Sequence, residues 1–237
     1  GKFPDGGKNG CDTPKHPSIP NPVTDCETGD PLTTGPYDRT EWSWTFQILP
    51  YIEQDSIFRN TDNTAVQKSV VNVYYCPSRR APKQYNSQGK VDYAASAGSI
   101  ETDGLLVRMG TTKVNMPAIS DGTSNTLMLG EKRLKLALLG VTYDDNEPFV
   151  SPGWDSEMYR RGSTAADSLG PVPDLRSNEA NPTGNNGYLA FGSSHTSGMN
   201  AALADGSVRL IRYNPDATLF MNLCRRADGT AIDHGGL

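Results

Sequence analysis

The stretch "SSHTSGMNAALADGSVRLIRY", Ser193 to Tyr213, holds one of the three histidines of the chain and, after nine intervening residues, the pair Asp205-Gly206. Asp-Gly between two alternating apolar runs is a strong hairpin signal, because both residues tolerate the positive φ that a two-residue type I′ turn demands. With that pair at the tip, Leu203 faces Val208 and Ala201 faces Leu210, so Met199, Ala201, Leu203, Val208 and Leu210 share one face of the hairpin. His195 then lies at one end of a strand over 199–204 and Asp205 at the other, roughly 20 Å apart at about 3.3 Å per residue. A proton-transfer pair needs hydrogen-bond reach, about 3 Å. The spacing therefore argues against a His195–Asp205 dyad: Asp205 shapes a turn and His195 bonds nearby backbone. Ser193 and Ser194 offer hydroxyls beside the imidazole, but adjacent residues alternate sides of a strand and no third orienting group is apparent, which ranks a hydrolase using His195 last among the functional readings.

Working outward, "GYLAFG" over 187–192 reads as a preceding strand that makes a three-stranded meander with the hairpin. Downstream, Asn214 as cap, Pro215 at the first helical position and the stripe Leu219, Phe220, Leu223 and Ala227 predict a helix over 215–227, stopped by Gly229. Upstream, Asp38-x-x-Glu41 resembles a capping box, and Trp44, Ile48, Tyr51 and Ile52 follow at helical spacing. A helix over 40–59 is expected, kinked or split at Pro50. The β-branched and aromatic run 70–78 predicts a strand, as do the stretches 91–95, 104–108, 126–131 and 134–138. Residues 1–39, rich in Pro and Gly, read as an irregular segment; 40–237 read as one β-rich unit with a loop excursion over 144–186.

The 237 residues suffice for a sizeable core, and 24 Gly with 17 Pro suit short strands and many turns. A net charge of -5 without a long basic run gives no footprint for nucleic acid. No window reaches the roughly 18 apolar residues of a membrane helix. Of the four cysteines, Cys11, Cys26, Cys76 and Cys224, none is spaced for zinc or redox chemistry with a sequence neighbour. Four cysteines allow three connectivities. The preferred pairing is Cys11 with Cys26, closing the proline-rich loop, and Cys76 with Cys224, which implies an oxidising compartment.

In its motifs the chain resembles the prepilin-type proteins of Planctomycetes and related bacteria, grouped as domain of unknown function 1559. His195, nine residues, then Asp205-Gly206 matches the H-x9-DG motif of that family. Trp42-Ser43-Trp44, Leu49 to Gln54, Cys76-Pro77-Ser78, and Ile119 to Thr126 with Gly130-Glu131 resemble its other signatures in the same order. The resemblance implies an α+β fold: a pilin-like globular head with an antiparallel sheet meander, a few helices and long loops. It implies assembly with other pilin-like subunits of a type IV pilus or type II secretion pseudopilus, through an amino-terminal helix preceding Gly1. It further implies an exported protein, extracellular or at the cell surface, anchored in the inner membrane before assembly and touching the membrane only through that helix. The motif residues His195, Asp205, Gly206, Asp121, Gly122, Ser124 and Asn125 are then architectural and no catalytic residue is expected; side chains such as Asp121, Ser124 and Asn125 suit an irregular connection held by bonds to nearby amides.

Two binding alternatives come from the residues themselves. Asp144, Asp145 and Glu147 concentrate oxygen donors of the type calcium takes, in competition with a plain solvated loop; apart from that calcium, no cofactor is expected. Trp154, with Tyr159 and Arg160, offers a platform for a polysaccharide and hence an extracellular carbohydrate-binding module, in competition with a loop anchor tucked against the sheet.

Overall fold

A computed structural model describes residues 1–7, 39, 42–142, 144–150, 153–164, 170–176 and 189–237. The fold is α+β, with a five-stranded sheet, a two-stranded parallel pair and short helices. The strands are β1 (Tyr93–Ser96), β2 (Leu127–Glu131), β3 (Tyr159–Arg160), β4 (Val172–Pro173), β5 (Gly192–Ser193), β6 (Gly198–Leu203) and β7 (Val208–Arg212). The main sheet has the order β3-β1-β2-β6-β7, antiparallel except for β1 beside β3, while β4 pairs with β5.

The hairpin forms, one residue out of the expected register. Ala202 pairs with Val208, Asn200 with Leu210 and Met199 with Ile211. Leu203 N–H donates to Ser207 O and Gly206 N–H to Leu203 O, both at 2.9 Å, and of the turn residues only Gly206 has positive φ, at 84°. This is a three-residue loop with glycine in the left-handed position rather than a two-residue type I′ turn. Because side chains alternate, the slip moves every β7 residue to the other face. Ile211 is buried beside Met199, Ala201 and Leu203, whereas Val208 and Leu210 are 68% and 52% exposed.

The stretch before the hairpin departs further from expectation. Residues 187 and 188 lie outside the described residues; Phe191 bridges Lys132, and β5 pairs with β4. The neighbours of β6 are β2 and β7, so there is no sequential meander. The helix near the carboxy terminus is α4 (Ala217–Cys224), with α1 (Trp44–Gln47), α2 (Asp55–Arg59) and α3 (Asn63–Lys68) before it. It begins later than predicted because Asn214 sits at φ 52° and Asp216 does the capping, accepting from Leu219 N at 2.9 Å. Pro50 splits the region 40–59 as expected, into α1, a 3-10 turn over Leu49–Ile52 and α2; Asp38 and Glu41 lie outside the described residues. Asp62 caps α3, a helix the sequence reading missed.

Three expected strands are not strands. In 70–78, Asn72–Tyr74 form a 3-10 turn, because Tyr74 and Tyr75 bury their rings and spend their hydroxyls on Thr45 O and Lys83 O. The run 104–108 buries Leu105, Leu106 and Val107 through isolated bonds such as Leu106 N to Ser96 O. In 134–138, Leu136–Leu138 make a 3-10 turn, with one bridge from Lys135 to Leu175. Burial alone explains these apolar runs. Conversely, the stretch 144–186 contributes β3 at the sheet edge and the fully buried Phe149, Val150 and Met158.

The sheet has two unlike faces. On one, Ala94, Met199, Ala201, Leu203 and Ile211 pack with Phe191 under Phe220, Leu223 and Cys224 of α4. Gly130 belongs to that face: a Cβ there would meet the Phe191 ring at 2.8 Å. The opposite face carries Tyr93, Leu129, Glu131, Asn200, Ala202 and Val208, and is covered in part by Trp44, Ile48 and Tyr74. Among the described residues, no helix is long and apolar enough to cross a membrane.

Candidate functional site

Chemistry-bearing side chains gather where the open sheet face meets the turn before β6. Glu131 ends β2; because Gly130 faces α4, the alternation of the strand sends the Glu131 carboxylate to the opposite face. His195 lies in the turn between β5 and β6, and Cys76 opens the turn Cys76 to Arg80. His195 Nε2 stands 3.1 Å from Glu131 Oε1 and 3.7 Å from Cys76 Sγ. Their ligand atoms all lie within 4.8 Å of one another, and among the described residues no other three His, Cys, Asp or Glu side chains converge in this way. Cys76 and Glu131 are buried, while the His195 side chain is 27% exposed and closes the cluster toward solvent.

The surrounding backbone holds each group in place. Cys76 N–H donates to Asp92 Oδ2 at 2.8 Å, and the turn closes through Arg79 N–H and Arg80 N–H to Cys76 O. His195 N–H donates to Ser193 Oγ, and Tyr213 Oη donates to His195 O at 2.8 Å, pinning the turn to β7. Glu131 Oε2 accepts from Asn200 N–H at 2.8 Å, whereas Oε1 is buried without a directed hydrogen bond. The Asn200 amide reaches His195 Nε2 at 3.0 Å. Burial first, then the adjacent Glu131 carboxylate, push the Cys76 thiol up to about 11, so the free thiol is protonated at neutral pH. A thiol, an imidazole and a carboxylate are the donor types that bind transition-metal divalent cations.

From the same face an apolar groove runs away from the cluster. It comprises two apolar pockets that share Trp44, Ile48 and Leu129: one is also lined by Phe3, Pro4, Leu106 and Met128, the other by Val73, Tyr93, Ala202 and Val208, beside Asn200. Val73 is 64% exposed, like Val208 an apolar side chain left in water.

A family model described as a protein of unknown function (DUF1559) matches residues 1–218. The chain belongs to this family. No curated protein and no solved structure matches the chain. Family membership therefore brings no activity with it, and the site rests on its own geometry.

The structure separates His195 from Asp205, as the strand spacing required. Asp205 is exposed and bonds Ser207 N and Oγ at 2.8 and 2.7 Å, contacts that hold its carboxyl below the usual range. Asp121 accepts from Asp228 N and Gly229 N, Asn125 Nδ2 donates to Asp121 O, and Gly122 takes a φ of 96°. This loop also receives the hairpin tip, since Asp205 N–H donates to Thr123 O and Ala204 N–H to Thr126 O. Ser124 lies in the 3-10 turn Thr123–Asn125.

Other expectations require correction. Cys76 and Cys224 are both free: Cys76 faces His195, while Cys224, the last residue of α4, is buried against Gly162. The pair Cys11 and Cys26 lies outside the described residues. The platform of Trp154, Tyr159 and Arg160 is interior. Trp154 stacks on Tyr159 with ring centroids 4.3 Å apart, its Nε1 donates to Glu101, and Arg160 Nε donates to Ala190 O. No face of these rings is left for a sugar, because the loop uses them as its anchor.

The acidic stretch is no solvated loop either. Asp145 accepts from Arg80 at 2.6 and 2.9 Å and from Gly140 N at 2.7 Å, and Asp144 faces Arg160 at 3.7 Å. Asp144, Asp145 and Glu147 are buried and do not converge on a common point as calcium ligands would. Sequence reasoning noticed Cys76-Pro77-Ser78, Gly130-Glu131 and His195 one by one and missed that they meet. The available signal was that each short motif carried one residue of metal-ligating type.

Proposed function

We propose that the chain is the globular head of a pilin-like or pseudopilin-like subunit, exported and assembled through an apolar helix preceding Gly1. The open apolar groove carries this reading. A sheet face that leaves Val208 and Leu210 in water, beside the exposed Val73 and an apolar pocket lined in part by Trp44, Ile48 and Leu129, is shaped to receive an apolar element. The adjoining pocket, which shares Trp44, Ile48 and Leu129, is lined by Phe3 and Pro4, so a helix entering Gly1 reaches this face without a long linker. The H-x9-DG residues then act as architecture: the Asp205-Gly206 tip docks on the loop that begins at Asp121, bracing the hairpin that bounds the groove.

The test is the protein with its native upstream sequence. A prepilin cleavage motif followed by about 20 apolar residues is expected. On that protein, Val208→Asp should speed proteolysis of the upstream helix from the head, with the head itself unaltered in circular dichroism. An upstream sequence lacking any apolar helix removes the reading.

A further inference from the structure

We propose that Cys76, Glu131 and His195 form a binding site for a thiophilic divalent cation of the zinc type. The geometry is close to what such an ion imposes. Zn–S bonds of about 2.3 Å and Zn–N or Zn–O bonds of about 2.0 Å put tetrahedral ligand atoms roughly 3.3–3.6 Å apart. The observed separations are 3.7 Å from Sγ to Nε2 and 3.1 Å from Nε2 to Oε1. A second observation supports the site: Glu131 Oε1 is buried without a well-aligned hydrogen bond, and the only groups it faces are the His195 and Cys76 donors themselves, so nothing else competes for it.

The donor set selects the ion. Thiolate and imidazole favour zinc, cobalt or copper(I) over calcium or magnesium, which take oxygen ligands. Binding replaces the Cys76 S–H proton, released to solvent, by a metal–sulfur bond; no electron is transferred. The ring is held from behind by Ser193 Oγ and Tyr213 Oη through the His195 backbone, and Cys76 by Asp92, so the ligands are oriented in advance. The exposed edge at His195 and Asn200 gives an entry path and a fourth position, filled by water or by the Asn200 amide oxygen after an amide flip. The ion ties together three segments far apart in sequence, the turn at residue 76, the end of β2 and the turn before β6, and so acts as a clip at one end of the apolar groove. The assignment stands without the pilin reading.

The test is titration of the reduced, metal-free chain with Zn2+ alone and with Co2+ alone. Zn2+ is expected to bind one to one and raise Tm by about 5–10 °C at a hundredfold excess over Kd. Co2+ is expected to give a thiolate charge-transfer band with visible bands of tetrahedral intensity. Cys76→Ser should abolish the charge-transfer band, and Glu131→Gln and His195→Ala should each weaken binding on the order of tenfold or more. The double variant Cys11→Ser/Cys26→Ser and the single variant Cys224→Ser should bind as wild type does. Absence of stoichiometric binding overturns the proposal, as does a charge-transfer band that survives in Cys76→Ser or vanishes in the Cys11/Cys26 double variant. Where Cys76→Ser fails to fold, protection of Cys76 from alkylation by Zn2+, read by peptide mapping, decides in its place.

Discussion

Two buried polar clusters lie back to back across the same short segments and differ in one respect. Cys76 and Glu131 look toward His195, whereas their sequence neighbours Arg80 and Lys132 reach into a nest of carboxylates, and Arg79 lies between the two, paired with Asp174 and Asp92. In that nest both arginines meet carboxylates directly. Arg79 pairs with Asp174 at 2.8 Å, and Arg80 with Asp92 at 2.7 Å and Asp145 at 2.6 Å. Burial pulls the guanidinium groups down, yet Asp174 and Asp92 hold Arg79, and Asp145 and Asp92 hold Arg80, above the ordinary arginine value. In the cluster at His195, by contrast, Glu131 Oε1 faces only the His195 imidazole at 3.1 Å and the Cys76 thiol, with no guanidinium or ammonium in direct contact among the described residues. Complementary charge closes a site on itself; unmatched donors leave one open to a ligand.

The largest effect separating the two should come from Asp145→Asn, which leaves Lys132 without its anion and Arg80 with Asp92 alone, and is expected to cost about 3–5 kcal/mol in urea denaturation. A cost below about 1 kcal/mol would mean that the nest is not self-matched. Next is acid sensitivity. Although burial pushes the Asp145 carboxyl up, Arg80, Lys132 and Lys90 hold it below the ordinary aspartate value. Because the folded value is the lower one, this contribution is complete above about pH 4, the unfolded value, and is lost as pH falls through the folded one. Urea midpoints measured from neutral to acid pH should therefore converge for wild type and Asp145→Asn. Parallel curves would refute the assignment.

A smaller effect is expected on the other side. Glu131→Gln, in the absence of metal, should cost only about 1 kcal/mol, since Asn200 N–H and the His195 imidazole keep an acceptor and Arg79 keeps Asp174 and Asp92. A loss as large as that of Asp145→Asn would make Glu131 part of the ionic nest instead. Smallest of all, Val208→Thr in the chain as it stands should change stability by no more than about 0.5 kcal/mol, because the side chain already faces water. A larger loss would show that the groove is covered in solution.

Much of the frame was legible in the residues. The hairpin, the strands around 93 and 127, the splitting of the first helical region at Pro50, and a helix around Phe220 and Leu223 followed from alternation, turn chemistry and helical spacing. What failed did so for definable reasons. Apolar runs such as 104–108 are buried without being strands, and periodicity cannot tell these apart. The hairpin register depended on whether Asp205-Gly206 makes a two-residue or a three-residue loop, and that single residue decides whether Val208 and Leu210 are core or groove.

The sequence by itself determined the elements whose causes are local. Gly206 supplies the left-handed turn position, Asp216 the helix cap, Pro50 the break, and the spacing of His195 from Asp205 keeps that pair apart. Only the tertiary structure decided what His195 meets instead. Cys76 and Glu131 lie 119 and 64 residues from it, and Glu131 faces it only because Gly130 must turn inward against Phe191. Side-chain alternation is written in one strand, but which strands pair, and therefore which donors converge, depends on how the whole core packs.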